Sequence, residues 1–301
     1  MRTIQAFDAA RGRVFPVEIW HPADNRRAHP LIVVSHSSGG NRRSAAFLGT
    51  HLASHGYVVA ALDHSELVAP ELARRDGETE AERAARTETL IASRVPDVRF
   101  LLDHLLSDAG LRLDAERVGL VGHSFGGWTV LATPEVEPRV RSLVALAPGG
   151  SDNPLPGILR LKLTFAWRRD VPTLYLAAEN DTMIPPAGVI ELFDRTPSSK
   201  RMFILRRADH QHFVDDVEGE HEALRAMTLP GEAAWIPAAM RPMTELCSGE
   251  QAHLFVRGLT LAHLDATLHG SRVADQFLAG DIEAALARRG VEASAHRSRV
   301  P

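Results

Sequence analysis

The residues best placed to do chemistry lie around a serine with glycines two positions to either side. Gly122-His123-Ser124-Phe125-Gly126, followed by Gly127, comes directly after the run RVGLV and before the helix-compatible WTVLAT. A strand, a sharp turn and a helix in that order would hold Ser124 at a strained tip with its hydroxyl exposed. The glycines relieve crowding between strand and helix. A helix starting there aims backbone N–H groups at negative charge developing on a substrate. The chemistry this permits is nucleophilic acyl transfer by Ser124. His123 is expected to point into neighbouring structure, since Ser124 needs the open direction, and is a candidate neighbour of the pocket.

A serine is activated by a base, and the base is oriented by a carboxylate. In α/β-hydrolase chain order the acid and then the histidine follow in loops after later strands. TLYLAAENDTMIPP supplies the first loop, with Asp181 preferred because it lies beyond the apolar run and just before Pro185-Pro186; Glu179 is the alternative. RMFILRRADHQHF supplies the second, where His210 and His212 compete. His210 comes first after the strand, while His212 beside Phe213 suits a structural or pocket role. The oxyanion of an acyl-transfer intermediate needs two donors. One is expected from the amide of Phe125, the other from SHSSGGNRR after the third strand, where Ser37, Ser38, Gly39 and Gly40 suit a tight turn presenting an amide. The same residues would make a strand-to-helix turn in any case, so neither serine is read as a second nucleophile.

The elements that must position these groups alternate between two periods. Thr3 to Phe7, Val14 to Trp20 and Leu31 to Ser35 read as strands, the last apolar on both faces as in the middle of a mostly parallel sheet. Ser44 to His55 is helix-compatible, Tyr57 to Asp63 is a strand, and Leu90 to Leu106 carries a broad apolar helical face. RVGLVG, VRSLVALAPG, TLYLAAE and RMFILRR add four strands. Glu71 to Glu88, dense in charge, reads as a solvated segment near the site entrance. Helices over Gln251–Leu268 and Val273–Arg288 follow a stretch broken at Pro230, Gly231, Pro237 and Pro242. This alternation predicts a three-layer α/β fold with a mostly parallel central sheet flanked by helices. Residues 1–301 read as one domain, with 218–301 a C-terminal helical extension that packs on the core or partly covers the site.

Composition narrows the function classes. The chain has 301 residues with 34 Lys and Arg against 38 Asp and Glu, a balance that gives no case for nucleic acid as partner. The single cysteine, Cys247, excludes an internal disulfide framework and reads as an inert thiol. No apolar run is long enough for a membrane span, and the first residues carry no signal-type core, so a cytoplasmic location is expected. No metal-ligand run such as HExxH is present, and no metal or organic cofactor is expected.

Four stretches, RGRVFPVEIWHPA, VVSHSSGGNRRSAAFLGTHLASHGYVVAALDH, VGLVGHSFGG and ADHQHFVD, carry a wider pattern from Arg11 to Asp215, and GLTLAHLDATLHG adds a familiar late segment. On these the sequence resembles the bacterial α/β-hydrolases described as predicted dienelactone hydrolases, a group similar to platelet-activating factor acetylhydrolase. The resemblance implies an α/β-hydrolase fold and a Ser-Asp-His esterase of small or aliphatic esters. Its H-x-x-F stretch falls on His210-Gln211-His212-Phe213 and favours His210 as the base. Its oxyanion loop carries over to the amide of Ser38, with Ser37 standing where glycine is usual. Dienelactone hydrolases proper use cysteine, and position 124 is serine.

The expectation is therefore a serine carboxylic-ester hydrolase with Ser124, Asp181 and His210 as triad and Phe125 and Ser38 as oxyanion donors. Its partner is a small-molecule ester. Ser37, His123, His212, Phe213 and Trp167 are candidate pocket residues, with Leu155, Ile158, Leu159 and Phe165 candidates for either pocket or core. An acyltransferase, lipase or amide hydrolase with the same triad, and a non-catalytic binding protein, are the alternatives. The late helices are candidates for a lid or for a homodimer surface.

Overall fold

The computed structural model describes residues 1–24, 27–75 and 77–296. Residues 25, 26 and 76 of two polar stretches, and 297–301 of the expected C-terminal extension, lie outside the described residues. Among the described residues nine strands form one sheet in the order β1-β2-β4-β3-β5-β6-β7-β8-β9. They are β1 (Arg2–Asp8), β2 (Arg13–Trp20), β3 (His29–Ser35), β4 (Val58–Leu62), β5 (Leu113–His123), β6 (Val140–Leu146), β7 (Thr173–Ala178), β8 (Lys200–Leu205) and β9 (Ala293–His296). Strands β3 to β8 run parallel, whereas β2 meets β1 and β4 antiparallel and β9 meets β8 antiparallel. Among the described residues ten α-helices accompany them: α1 (Ala46–Ser54), α2 (Ser65–Val68), α3 (Glu80–Leu106), α4 (Phe125–Ala132), α5 (Pro186–Arg195), α6 (Val217–Ala226), α7 (Ile236–Ala239), α8 (Gly249–Leu268), α9 (Arg272–Ala279) and α10 (Ile282–Ala287).

The continuous apolar runs follow from burial on both faces. Along β3, Leu31 and Val33 join the core shared with α3, α4 and α5, while Ile32 and Val34 join the opposite core under α1, α8, α9 and α10. A period of two with helices on either side leaves no position for a polar face. This is the mostly parallel, helix-flanked sheet of the α/β-hydrolase fold. The strand order reverses where β3 lies beside β5, and open α/β sheets bind ligands beyond the carboxyl ends of strands at such a point. The loop after β3 and the turn after β5 both open there. None of the described helices is long and apolar enough to cross a membrane.

Three elements differ from the sequence expectation. The charged Glu71–Glu88 stretch is not all loop: α3 reaches back to Glu80. Thr79 caps it reciprocally, accepting from the Glu82 amide at 3.2 Å while Glu82 accepts from the Thr79 amide at 2.9 Å. The expected Val273–Arg288 helix is two, parted at Gly280, where Asp281 caps α10 by accepting from the Ala284 amide at 2.9 Å. Strand β9 was absent from the sequence reading. Its ASAH sequence has no apolar alternation, and all four residues are only half-buried.

Candidate active site

The turn after β5 is too tight for a side chain at any of its three glycines. A Cβ on Gly122 would run into the carbonyl of Gly126, and one on Gly126 into the carbonyl of Ser35. A Cβ on Gly127 would stand 2.8 Å from Cα of Pro148. Ser124 has φ of +58°, a region L-residues with a side chain seldom occupy. Neighbouring backbone holds it there. The Ser124 amide donates to Leu146 at 2.9 Å, and the Ser124 carbonyl accepts from Trp128 and Gly149, each at 3.1 Å. Strain at one residue is thus sustained by the end of β6 and the first turn of α4.

Asp181 and His210, from the loops after β7 and β8, meet with Oδ2 of the carboxylate 2.8 Å from Nδ1 of the imidazole. The other carboxylate oxygen accepts from the amides of Met183 at 3.0 Å and Ile184 at 2.7 Å. Burial favours the neutral form of the Asp181 carboxyl, opposed by the imidazole and the Ile184 amide. For His210 burial disfavours the charged ring, yet the charges of Asp181 and Asp209 outweigh it and raise its proton affinity above the ordinary value. With Nδ1–H donated to Asp181, Nε2 is left as the acceptor. Glu179 faces the other way, pairing with Arg206 and accepting from the Arg207 amide at 3.0 Å.

Ser124 and His210 line one cavity of about 360 Å³ together with Ser37, Ser38 and Phe125. Its remaining wall is mostly apolar, with Ile158, Leu161, Ile184, Leu224, Leu229 and Ile236 among the contributors. Phe125 is the first residue of α4, so its amide has no acceptor within the helix. Ser38 follows β3 in a turn closed by the Gly40 amide on the Ser37 carbonyl at 3.2 Å, with Gly39 at φ +75°. Among the described residues no protein atom accepts the Ser38 amide.

Four expected pocket residues lie elsewhere. Trp167 is buried in the core, its indole N–H donating to the Leu131 carbonyl at 3.2 Å, and it does not reach the cavity. His212 is occupied on both ring nitrogens: Nδ1 accepts from the Asp209 amide at 3.0 Å, and Nε2 donates to the Cys247 carbonyl at 3.0 Å. His123 and Phe213 sit behind the catalytic candidates, with the His123 ring 4.7 Å from that of His210 and 5.6 Å from that of Phe213. Burial lowers the proton affinity of His123, so a neutral ring backs His210. Of the pocket-or-core candidates, Ile158 and Leu159 line the cavity, whereas Phe165 packs in the core.

Sequence reasoning missed Asp209. Fully buried, it accepts from the His210 amide at 2.7 Å and from Thr182 through its amide at 2.7 Å and hydroxyl at 2.8 Å, tying the acid loop to the histidine loop. The available signal was a carboxylate directly before His210 in a loop otherwise bordered by apolar strand. It also missed a second Ser-His-Asp group. Ser35 Oγ lies 2.8 Å from His64 Nε2, and His64 Nδ1 lies 3.1 Å from Asp97 Oδ2. All three are buried and none borders the 360 Å³ cavity. Asp97 is also fully engaged, accepting from Arg11 at 2.6 Å, the Ser65 amide at 2.8 Å and the Ser65 hydroxyl at 2.7 Å. Its geometry resembles a triad, but it lies apart from the cavity that Ser124 and His210 share.

Comparison with known proteins agrees with the fold. Residues 12–254 match the model of the family described as PET hydrolase-like. Cutinase est1 of Thermobifida alba is 29% identical over 206 residues, covering 66% of this chain and 58% of the relative. Platelet-activating factor acetylhydrolase of Cavia porcellus is 27% identical over 234 residues, covering 64% of this chain and 50% of the relative. The chain thus spans about half the length of these curated relatives. A ferulic acid esterase from Streptomyces cinnamoneus shares the fold with a TM-score of 0.62, covering 91% of each chain at 22% identity. With most of its length matched, from the β1–β2 hairpin into α8, the chain belongs to the PET hydrolase-like family of α/β-hydrolases.

Proposed function

We propose that the protein is a serine carboxylic-ester hydrolase that works through an acyl-enzyme on small or short- to medium-chain esters. The observation that carries this reading is the Asp181–His210 bond at 2.8 Å with His210, Ser124, Ser38 and Phe125 on one cavity. Nε2 of His210 takes the Ser124 proton as Oγ attacks the ester carbonyl. Asp181 holds the imidazole tautomer and stabilises the imidazolium. The carbonyl oxygen, now anionic, sits between the amides of Phe125 and Ser38. His210 then gives its proton to the departing alcohol. A water deprotonated by the same ring attacks the acyl-enzyme and releases the acid.

The mostly apolar wall suits an aliphatic acyl or alcohol group, and polar recognition is confined to the reacting end. Within the family, the GHSFGG and HQHF motifs and the similarity to an acetylhydrolase support placing the chain with the dienelactone-hydrolase-like, acetylhydrolase-like esterases. Hydrolysis of p-nitrophenyl esters from acetate to decanoate, by wild type and Ser124→Ala, tests the reading. We expect turnover with a short- to medium-chain optimum and a loss of about 10⁶-fold in kcat for Ser124→Ala. A folded wild type inactive across the series would overturn it. Product formed by transfer to an added alcohol in preference to water would instead make it an acyltransferase.

A further inference from the structure

One fully buried cation touches both segments that carry the oxyanion amides. Arg94 projects from α3, and its guanidinium is engaged in three directions. Nε donates to Glu66 Oε2 at 2.8 Å while Nη2 pairs with Glu66 Oε1, a two-pronged grip on the carboxylate. Nη1 donates to the His36 carbonyl at 2.7 Å and Nη2 reaches the Ser37 carbonyl at 3.4 Å. Cζ lies 4.1 Å from the centroid of the Phe125 ring, within cation–π range.

The consequence follows from peptide geometry. In a trans peptide the C=O and the next residue's N–H point to opposite sides. The Ser37 carbonyl is drawn inward by Arg94, by Nδ1 of His36 at 2.7 Å and by the Gly40 amide, so the Ser38 N–H is turned outward, to the side of the cavity. The same guanidinium braces the Phe125 ring, and Phe125 carries the second amide. Beneath it, Nη1 lies 3.5 Å from Ser35 Oγ, whose hydroxyl bonds His64, which is itself held by Asp97. The second Ser-His-Asp group thereby acquires a role as the buried footing of this arginine.

We propose that Arg94 is a positioning residue for the oxyanion hole, fixing the Ser38 and Phe125 amides relative to one another from behind without touching substrate. The proposal rests on the serine-esterase reading. An arginine that only held the core together would affect folding and leave the hole intact in any variant that folds. An arginine that shapes the hole affects the transition state more than the bound substrate.

The test uses p-nitrophenyl butyrate kinetics together with the affinity of an alkyl trifluoromethyl ketone, whose adduct with the serine places an alkoxide in the hole. For Arg94→Met we expect kcat about 10- to 100-fold lower with KM within about twofold, and ketone affinity lower by the same factor as kcat/KM. Glu66→Gln, nearer the surface, loosens the grip without emptying the core and is expected to lower both quantities about 3- to 10-fold. It decides the matter if Arg94→Met does not fold. Folded variants with wild-type kcat and ketone affinity, or with a raised KM alone, would overturn the proposal. Ser124→Ala is measured alongside. Turnover retained there removes the serine reading and this proposal with it, whereas turnover lost there beside unaffected Arg94 and Glu66 variants removes the Arg94 proposal alone.

Discussion

His210 is held between two carboxylates of different reach. Asp181 bonds its ring directly, while Asp209 bonds its backbone amide and acts on the ring through charge. Both favour the imidazolium, so the ring's proton affinity lies above the ordinary 6.5. In the proposed role of general base His210 must be neutral, and below its pKa the protonated ring cannot accept from Ser124. The acid limb of kcat/KM is therefore expected above pH 6.5. Asp209→Asn keeps a carbonyl oxygen for the His210 and Thr182 amides but removes a negative charge, so the imidazolium is less stabilised and the limb moves to lower pH. A pH profile of the two proteins checks the sign, and an unmoved or raised limb contradicts the electrostatic role. His123 adds no opposing charge at neutral pH, because burial keeps it neutral.

At the scale of elements, the elbow is a packing problem solved by absence of side chains. A methyl on Gly126 has nowhere to go, since its direction is filled by the backbone carbonyl of Ser35 on β3, and backbone cannot rotate away as a side chain can. Gly126→Ala is expected to destabilise the fold by about 3 kcal/mol and to cost activity, read as a lowered denaturant midpoint. Substitution at exposed Gly77, where nothing stands within 4 Å of a Cβ, provides the comparison, its cost arising from backbone conformation alone. The elements were legible in the sequence where one period dominated. β3, β4 and β7 could be read because both faces are buried, and β5, β6 and β8 because each contains a short apolar run beside its polar positions. α3 was read only from Leu90 because its first turns are solvated and held by capping and charge pairs, which leave no hydrophobic period. The triad candidates were legible because each abuts a strand end in a fixed chain order. Arg94 was not, although it stands four residues before Val98 on the helix's buried face, where a charge is out of place. Contacts such as Arg94 to the Ser37 carbonyl join elements whose pairing no local spacing records. Trp167, expected in the pocket, has its N–H partner in α4, inside the core.

Across the whole molecule, the cavity is built from two segments that the chain separates by strands β7 and β8. The segment between β6 and β7 supplies Ile158 and Leu161, and the segment from α6 to α7 supplies Leu224, Leu229 and Ile236. These two segments touch: the Trp235 indole donates to the Pro156 carbonyl at 3.1 Å, and a Cβ on Gly157 would stand 2.6 Å from the Ala233 nitrogen. Their meeting bounds the space available to substrate. Ile158→Trp is expected to shift the chain-length optimum of the ester series toward acetate, with little change in kcat/KM for the shortest ester. A p-nitrophenyl ester profile that keeps its wild-type optimum would mean that the acyl chain lies elsewhere.

The antiparallel strand β9 has a consequence in time. It borders β8, and the loop after β8 carries His210, yet it is synthesised after all the other described elements. A growing chain therefore contains Ser38, Ser124, Asp181 and His210 while β8 still presents an open row of amides and carbonyls. At ordinary translation rates that interval lasts on the order of seconds. During it, the part that carries the candidate site has been made but its bordering strand has not, and an unpaired parallel strand is an inviting template for a neighbouring nascent chain. Residues Ala293–His296, which take no part in the chemistry, are what end that exposure.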